Sequence, residues 1–541
     1  MTPTSPLPQI NRLIDAINHD LFERKQTVAL ALLTAIAGQH SFLLGPPGTG
    51  KSLLARRIAL AFADARYFEC LMNRFSTPDE VFGPVSLAAL KQDRYQRKID
   101  GYLPAVEFAF LDEIWKSSPA ILNTLLTLIN ERQFRNGEQQ LAVPLKGLIA
   151  ASNELPQPDQ GLEALYDRFL VRLEVTPTEQ WHNFAQMLCS APAQADIALA
   201  DGDPIDAEQH QQWLTQIAQV EIGSDSLTLL QRLRQLLSEQ QPELYVSDRR
   251  WQRAAQLLRA SAFCCGRRYT NHSDLLLLRH CLWSQPQQRQ AVAELLEQCV
   301  MEVACPCDID VSGSYQQLDI LDQQLNQLLF YPETVFDTCD FYPQQHFFGV
   351  HNEQPIAQRD GFFYVRTHAE HNHNAKAPVY FDFFVHQSQR HSRRPFHPYD
   401  PLGPLKTDIQ CQFSESGLMT IRYAEHGNFD TSAFSVKPFK PTVLHQQGEA
   451  RQRIDGATLT TLQQQLMTLA QQLSAAIKQA KAYQQQFEQA GSNPFISAEE
   501  QQLLELAFSQ QQADLELNLL RTQALLTLAN DNQPDTAPAN V

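Results

Sequence analysis

The sequence predicts a buried, largely parallel α/β sheet, then an all-α lid, and then a long-helix stalk that carries an inserted β-rich module. Three apolar segments between helical stretches indicate the parallel sheet; they cover residues 41–44, 106–111 and 147–152. From 201 to 300 the apolar residues recur at helical spacing, which predicts the lid. Between 331 and 450 several stretches alternate in polarity with period two, as expected of strands.

We expect the domain boundaries to follow these changes of pattern. The α/β core covers 1–200 and opens with one amphipathic helix over 10–38; the lid covers 201–300, the stalk 301–330 and 451–530, the β-rich module 331–450, and a disordered tail 531–541. Two stripes of apolar residues with heptad spacing support the stalk. They contain Leu318, Leu321, Leu325 and Leu328, and then Leu459, Leu462, Leu466, Leu469, Leu473, Ala476, Ala480, Tyr483 and Phe487. We favour helix packing within the chain for both stripes, and a coiled coil between chains is the alternative.

Composition excludes several classes of protein. The 541 residues include 43 Lys and Arg against 60 Asp and Glu, a net charge of −17. This is the wrong sign for a protein that neutralises phosphates along a nucleic acid, so nucleic acid is not expected as the main partner. The ten cysteines fit neither a disulfide framework nor paired zinc knuckles. No apolar run reaches the roughly 18 residues that span a bilayer, and the N-terminus lacks a signal-peptide pattern, so we expect a cytoplasmic protein without an integral membrane segment.

The segment that follows the first predicted strand has the pattern G-x-x-x-x-G-K-[ST], and a helix is predicted after it. Backbone N–H groups of such a loop converge on phosphate oxygens, and the helix N-terminus adds its dipole. Lys51 would bind the β- and γ-phosphates, and the Ser52 hydroxyl would bind Mg²⁺. The predicted ATP-binding residues are Gly45, Pro46, Pro47, Gly48, Thr49, Gly50, Lys51, Ser52 and Leu53.

Polar residues also end the second and third predicted strands. Asp112 and Glu113 follow the second. Carboxylates are rarely buried without a partner, so packing alone does not explain two acids at the end of an apolar strand. We expect Asp112 to bind Mg²⁺ with Ser52, and Glu113 to polarise the attacking water. Asn153 ends the third strand and could orient the same water, although alone it is equally well an Asx-turn residue. Together these residues predict a ligand site at the carboxyl edge of the sheet.

These residues, in this order, resemble the AAA+ ATPases and specifically the MoxR family, with the closest resemblance to its RavA branch. The supporting stretches are FSTPDEVFGP at 75–84, GYLP at 101–104, FLDEIWK at 110–116, ILNTLLTLINERQFRN at 121–136, ASNELP at 151–156, LYDR at 165–168 and VSDRRW at 246–251. The resemblance covers roughly residues 10–285.

The resemblance assigns roles residue by residue. Gly45 to Ser52 match Walker A, Asp112 and Glu113 match Walker B, and Asn153 matches sensor 1. Arg168 matches the arginine finger, which reaches the nucleotide of a neighbouring subunit, and Arg249 matches sensor 2, with Arg250 as its nearest rival. A ring, expected to be a hexamer, follows from the finger.

The resemblance also implies partners. The family works with von Willebrand factor A-domain proteins, and the small β-domain of the RavA branch contacts an inducible lysine decarboxylase. Here the insert at 331–450 is longer, which puts the decarboxylase partnership in doubt. It also holds His346, His351, His368, His371, His373, His386, His391 and His397. These histidines could bind metal or sense pH, although exposed loop histidines are commoner than ligands.

Three functional hypotheses follow. The leading one is an AAA+ ATPase that hydrolyses ATP between subunits to remodel or mature partner protein complexes in a chaperone-like manner. The alternatives are a motor subunit of a chelatase-like metal-insertion machine, and a scaffold in which nucleotide stabilises assembly and turnover matters little.

Overall fold

The computed structural model describes residues 5–156, 162–307, 309–330, 362–369, 379–386, 389, 394–400, 405–413, 419–425, 428–429 and 454–532. The chain forms two compact units, and each unit is assembled from two separate segments. The first unit comprises Met1–Pro306 and Gln479–Gln512, and the second comprises Cys307–Lys478 and Ala513–Val541.

A parallel sheet of five strands lies at the centre of the first unit. Its strands are β1 (Ser41–Leu44), β2 (Tyr67–Leu71), β3 (Phe108–Asp112), β6 (Gly147–Ser152) and β7 (Val171–Glu174), and β4 (Gln133–Asn136) and β5 (Gln139–Ala142) form a separate antiparallel hairpin. The order across the sheet is β2-β3-β6-β1-β7, and every neighbouring pair is parallel. All residues of β6, the central strand, are buried, as expected of a parallel sheet that helices cover on both faces. The predicted parallel sheet is therefore confirmed.

Eight α-helices belong to the α/β part of this unit in the described ranges up to residue 189. They are α1 (Leu7–Ile17), α2 (Lys25–Ile36), α3 (Lys51–Leu60), α4 (Pro78–Phe82), α5 (Leu87–Leu90), α6 (Pro119–Glu131), α7 (Glu163–Tyr166) and α8 (Trp181–Cys189). The prediction of a single helix over 10–38 was wrong. Two helices occur there, because Asp20 and Glu23 adopt positive φ angles of 59° and 56°, which interrupt a right-handed helix.

A cluster of aromatic side chains packs around Phe42 of the central sheet. The ring of Phe42 on β1 lies 5.5 Å from Trp115, 5.6 Å from Tyr166 and 6.1 Å from Phe169, measured between centroids. The guanidinium of buried Arg172 stacks 3.7 Å from the centroid of Tyr166. These contacts fix the segment before β7 against the centre of the sheet.

The lid consists of α9 (Ala207–Gln219), α10 (Ser224–Gln240), α11 (Asp248–Cys264), α12 (His272–Leu275) and α13 (Pro286–Glu302). Ser247 caps α11, since its Oγ accepts a hydrogen bond from Arg250 N at 3.2 Å. Asn271 and Asp274 form a capping box on α12. An all-α lid is thus present, as the helical spacing predicts.

Two long helices contribute to both units. After α14 (Val311–Leu329), these are α15 (Gly456–Gln489) and α16 (Ala498–Asp531). The turn between them packs in the first unit: Asn493 Nδ2 donates to Ser261 Oγ at 3.0 Å and to Ser273 Oγ at 3.1 Å, and Gln26 Nε2 donates to Phe495 O at 2.7 Å. The hairpin therefore contacts the lid and the α/β part of this unit.

In the second unit α14 packs on α16. Tyr315 OH donates to Asp514 Oδ1 at 3.1 Å, and Arg521 Nη2 lies 3.0 Å from Asp319 Oδ1. The leucines and alanines of the predicted stripes are buried within the chain, with one change: Leu329 is 0% exposed and Leu328 is half-buried. The stripe takes a step of four residues there because a straight α-helix has 3.6 residues per turn.

Strands of the inserted module form two antiparallel hairpins in the described part of 362–429. They are β8 (Phe362–Ala369) with β9 (Val379–His386), and β10 (Ile409–Phe413) with β11 (Met419–Glu425), which also pairs with β12 (Asn428–Phe429). The predicted tail beyond 532 lies outside the described residues. Within the described ranges, no helix is both long enough and apolar enough to cross a bilayer.

Candidate functional site

The phosphate loop, residues 45–52, joins β1 to α3 at the carboxyl edge of the sheet. Gly45 N donates to Ser152 O at 3.1 Å, and a Cβ on Gly45 would lie 2.3 Å from Val175 O. Gly50, directly before α3, has a left-handed φ of 84°. These glycines let the chain turn tightly onto the amino end of α3, where unpaired N–H groups bind anions.

The ammonium group of Lys51 lies inside this loop. Its Nζ donates to Gly45 O and to Pro46 O at 2.8 Å each, and Lys51 is 7% exposed. Burial lowers the pKa of Lys51, and the nearby carboxylates of Asp112 and Glu113 oppose that shift. Phosphate oxygens would replace the two carbonyls as acceptors when a nucleotide binds.

The acidic pair lies beside the loop. Leu111 pairs with Ala150 and Leu44 pairs with Ser152, so the carboxyl ends of β3, β6 and β1 are adjacent. Asp112 ends β3, and Glu113 N donates to Asp112 Oδ1 at 3.0 Å. Ser52 and Asp112 are half-buried and carry the oxygen donors that Mg²⁺ prefers. The chemistry of this pair fits Mg²⁺, and its role as ligand remains a prediction.

Glu113 is held by two residues that sequence reasoning missed. Ser152 Oγ donates to Glu113 Oε2 at 3.3 Å, and Lys116 Nζ lies 3.3 Å from the same oxygen. Glu113 also has a left-handed φ of 51°, uncommon for a residue with a side chain. Ser152 could have been found from the sequence, since it ends the third strand next to Asn153. Asn153 itself is exposed one residue beyond β6, and its sensor role remains a prediction.

Arg168 lies at the opposite edge of the sheet. It precedes β7, whose first residue Val171 pairs with Ser41, the first residue of β1. Arg168 Nε donates to Asn130 Oδ1 at 2.9 Å at the end of α6, and its guanidinium also donates to Ala164 O. The structure therefore does not bring Arg168 to the phosphate loop of its own chain.

The two rival lid arginines have different environments. Arg250 is 2% exposed, and its Nη2 lies 3.0 Å from Asp167 Oδ1. Arg249, one residue earlier on α11, is exposed. An arginine that is buried and paired within its chain is not available to a nucleotide, so this geometry favours Arg249 over Arg250 as the candidate sensor.

Two known protein families match the part of the chain that contains the site and the lid. Residues 8–211 match the family described as "MoxR domain in the MoxR-vWA-beta-propeller ternary systems", and residues 225–296 match an AAA lid domain. The chain belongs to the MoxR family of AAA+ ATPases. Membership in that family supports nucleotide binding and ATPase activity for the site described above.

Relatives of this MoxR-family chain include two archaeal proteins. It is 33% identical over 320 residues to the uncharacterized protein MJ0812 of Methanocaldococcus jannaschii, covering 59% of this chain and 81% of that protein. It is 37% identical over 276 residues to MJ0079 of the same organism, covering 51% of this chain and 70% of that protein. A solved structure from Cytophaga hutchinsonii, provisionally described as an ATPase, is 18% identical and covers 54% of this chain and 95% of that chain, with a TM-score of 0.43.

Most of the predicted histidine cluster falls in the part of the chain that is not described. His346, His351, His371, His373, His391 and the side chain of His368 lie outside the described residues. His397 is described, and its Nδ1 lies 2.7 Å from Ile409 O, a contact within the module. The described parts of the chain contain no group of three His, Cys, Asp or Glu side chains that could hold a metal.

Proposed function

We propose that this MoxR-family chain hydrolyses ATP to ADP and phosphate at sites between subunits of a ring, with a hexamer as the simplest form. The observation that carries the proposal is that the phosphate loop, Asp112 and Glu113 meet at one edge of the sheet while Arg168 lies at the other. An arginine at the far edge can complete only the site of another subunit.

The chemistry assigned to each residue follows from its position. Lys51 and the loop amides bind the β- and γ-phosphates, and Ser52 with Asp112 holds the Mg²⁺ ion. That ion neutralises phosphate charge when it is bound. Glu113, held by Ser152 and Lys116, polarises water for attack on the γ-phosphate. Asn153 lies next to Ser152 and is proposed to orient the same water.

We further propose that hydrolysis drives chaperone-like remodelling or maturation of partner complexes, as in the RavA branch. A von Willebrand factor A-domain protein is the expected partner, since the matching family is described in MoxR-vWA systems. The target would be recruited through residues 331–450. A chelatase-like motor and a nucleotide-dependent scaffold are the competing outcomes.

The experiment compares the full-length chain with Glu113→Gln, which keeps the loop but removes the carboxylate. ATP binding should persist while hydrolysis falls by about 100-fold or more, as expected for loss of a general base. Glu131→Gln, an exposed acid at the end of α6, is the control and should hydrolyse normally. Unchanged hydrolysis in Glu113→Gln would contradict the proposal.

Affinity purification with Glu113→Gln then distinguishes the biological roles. Enrichment of a von Willebrand factor A-domain protein and a substrate complex supports remodelling. Enrichment of enzymes that insert metals supports the chelatase-like alternative. A cellular phenotype that Glu113→Gln leaves unchanged supports the scaffold, because assembly would then require only binding.

A further inference from the structure

The turn that carries Glu113 has an uncommon backbone conformation. Glu113 adopts φ 51° and ψ 43°, and a 3₁₀ turn, Ile114–Lys116, follows it directly. Lys116 N donates to Glu113 O at 2.9 Å. A left-handed residue with a side chain persists only where its surroundings hold it in place. The position of the proposed general base therefore depends on what fixes this turn.

The hydrogen bonds of Glu113 give only part of this support. Lys116, whose Nζ lies 3.3 Å from Glu113 Oε2, belongs to the same turn and moves with it. Asp112, whose Oδ1 accepts from Glu113 N, is the preceding residue. Ser152 Oγ is the contact from a neighbouring strand, and its distance of 3.3 Å to Glu113 Oε2 is long for a hydroxyl donor. Packing of the turn must supply the rest.

Trp115 supplies that packing. It is 8% exposed, and its ring centroid lies 5.5 Å from that of Phe42, 5.8 Å from Tyr166 and 6.4 Å from Phe169. The indole meets Tyr166 and Phe169 edge to face, at interplanar angles of 79° and 87°. Because such contacts depend on orientation as well as distance, they fix the direction of the ring. Trp115 thereby anchors the turn two residues after Glu113.

The residues that surround the indole are themselves held in place. Phe42 is on β1, which lies between two other strands of the sheet. The buried guanidinium of Arg172 stacks on Tyr166. Arg172 Nη2 also donates to Tyr166 O at 3.1 Å, and its Nε donates to Phe169 O at 3.3 Å. Trp115 therefore packs against two parts of the chain that are themselves fixed.

The indole acts through its shape. Although Trp115 Nε1 is buried, it has no hydrogen-bond partner among the residues that the structure describes. Its aromatic contacts need a flat ring and do not need the N–H group. Trp115→Phe should therefore preserve the support of the turn, whereas Trp115→Leu should lose it.

We propose that Trp115 is a positioning residue for hydrolysis, since its packing holds Glu113 at the place from which it polarises water. This inference rests on the proposed ATPase function and specifies what places its general base. A change at Trp115 should act on turnover through Glu113 and leave nucleotide binding by the phosphate loop intact.

The first measurement compares steady-state hydrolysis by the full-length chain and by Trp115→Leu. Loss of the indole should lower kcat about 10-fold, because a displaced base is less effective, while KM for ATP changes by less than about twofold. Trp115→Phe should keep at least about half of the wild-type kcat. Wild-type kcat in Trp115→Leu would overturn the proposal, as would a stable Trp115→Phe chain that is as slow as Trp115→Leu.

Trp213→Leu is the matched control. Trp213 is on the lid helix α9, is 7% exposed, and its ring centroid lies 5.9 Å from that of Phe263. The same change at similar burial should cause a similar loss of stability, which urea denaturation measures. Trp213→Leu should nevertheless keep the wild-type kcat. An equal fall of kcat in both tryptophan variants would show that general destabilisation explains the effect, and would overturn the proposal.

A double-mutant cycle shows whether Trp115 acts through Glu113. In Glu113→Gln the base is already absent, so adding Trp115→Leu should lower the residual single-turnover rate by less than about twofold. A further loss of about 10-fold would refute the proposal, because Trp115 would then act independently of Glu113. Failure of the proposed function is distinguishable, since Glu113→Gln alone would then hydrolyse ATP at the wild-type rate.

Phe42→Leu keeps the cycle informative when Trp115→Leu does not fold. It removes one ring against which Trp115 packs and retains the indole. We expect kcat to fall about threefold when Glu113 is present and to stay unchanged in the Glu113→Gln chain. An equal loss in both backgrounds, or no loss in either, would contradict the proposal.

Discussion

Ser152 Oγ lies 3.3 Å from Glu113 Oε2, so the buried serine that ends β6 donates a hydrogen bond to the carboxylate that follows β3. This contact joins two neighbouring strands at the edge where the phosphate loop begins. It orients the proposed general base from the neighbouring strand.

Removing that hydroxyl should therefore affect turnover more than binding. We expect Ser152→Ala to lower kcat about fivefold, the equivalent of about 1 kcal/mol for one hydrogen bond, with little change in KM for ATP. Steady-state hydrolysis across ATP concentrations measures both constants. Ser41→Ala, a buried serine at the other end of the sheet, should leave kcat unchanged. A raised KM with normal kcat in Ser152→Ala would contradict the assignment.

Adjacent lid arginines should differ sharply in their effect on stability. Arg250→Ala removes a buried partner of Asp167, and we expect it to lower the free energy of unfolding by about 2–4 kcal/mol. Arg249→Ala alters an exposed side chain and should change it by about 0.5 kcal/mol or less. Urea denaturation of both variants gives the comparison, and equal losses would show that the ion pair does not stabilise the lid.

The turn between the long helices should be a separate source of stability. Asn493 is 5% exposed and donates to the hydroxyls of Ser261 and Ser273, while its Oδ1 accepts from Phe495 N at 3.0 Å. Asn493→Leu removes the hydrogen bonds to Ser261 Oγ and Phe495 N, whereas Ser273 Oγ keeps its bond to Asn271 Oδ1, and the change should cost about 2–3 kcal/mol. Thermal unfolding measures the loss, and hydrogen exchange should quicken in α12 and in residues 498–512. Gln502→Leu, at an exposed position on α16, is the control and should leave stability nearly unchanged.

Acid should destabilise the chain partly through His40. His40 is 3% exposed, its Nδ1 accepts from Leu148 N at 3.0 Å, and burial, followed by the charge of Arg132, holds its pKa well below the ordinary value of 6.5. The folded state keeps this imidazole neutral while the unfolded state takes up a proton below about pH 6.5, so its stabilising contribution is present above that pH and is lost as pH falls.

His40→Asn keeps an acceptor for Leu148 N and removes the titration. The variant should be less stable at pH 7.5, yet its stability should fall less steeply between about pH 6.5 and 5, by up to about 1.4 kcal/mol per pH unit. Denaturation at several pH values measures this slope. Some dependence will remain, because burial also lowers the pKa of His210. An unchanged slope would exclude His40 as a contributor.

Much of the first unit was predictable because its signals are local. The glycines, Lys51 and Ser52 form one continuous motif, and the apolar strands that end in Asp112 and Ser152 are short and uniform. The division between α1 and α2 was missed, because the positive φ angles of Asp20 and Glu23 follow from tertiary packing. The contact of Arg253 with Arg168 could not be predicted from the sequence either, because 85 residues separate the two.

Because the first unit is assembled from two distant segments, it can be completed only late in synthesis of the chain. Residues 479–512 belong to the same compact unit as residues 1–306, yet the ribosome makes them more than 170 residues later. Until they emerge, Ser261, Ser273 and His272 lack their partners Asn493 and Tyr483. The polar groups of the nascent lid therefore remain uncovered until the last part of the chain has been made. A chain released early would expose this polar surface to cellular proteases.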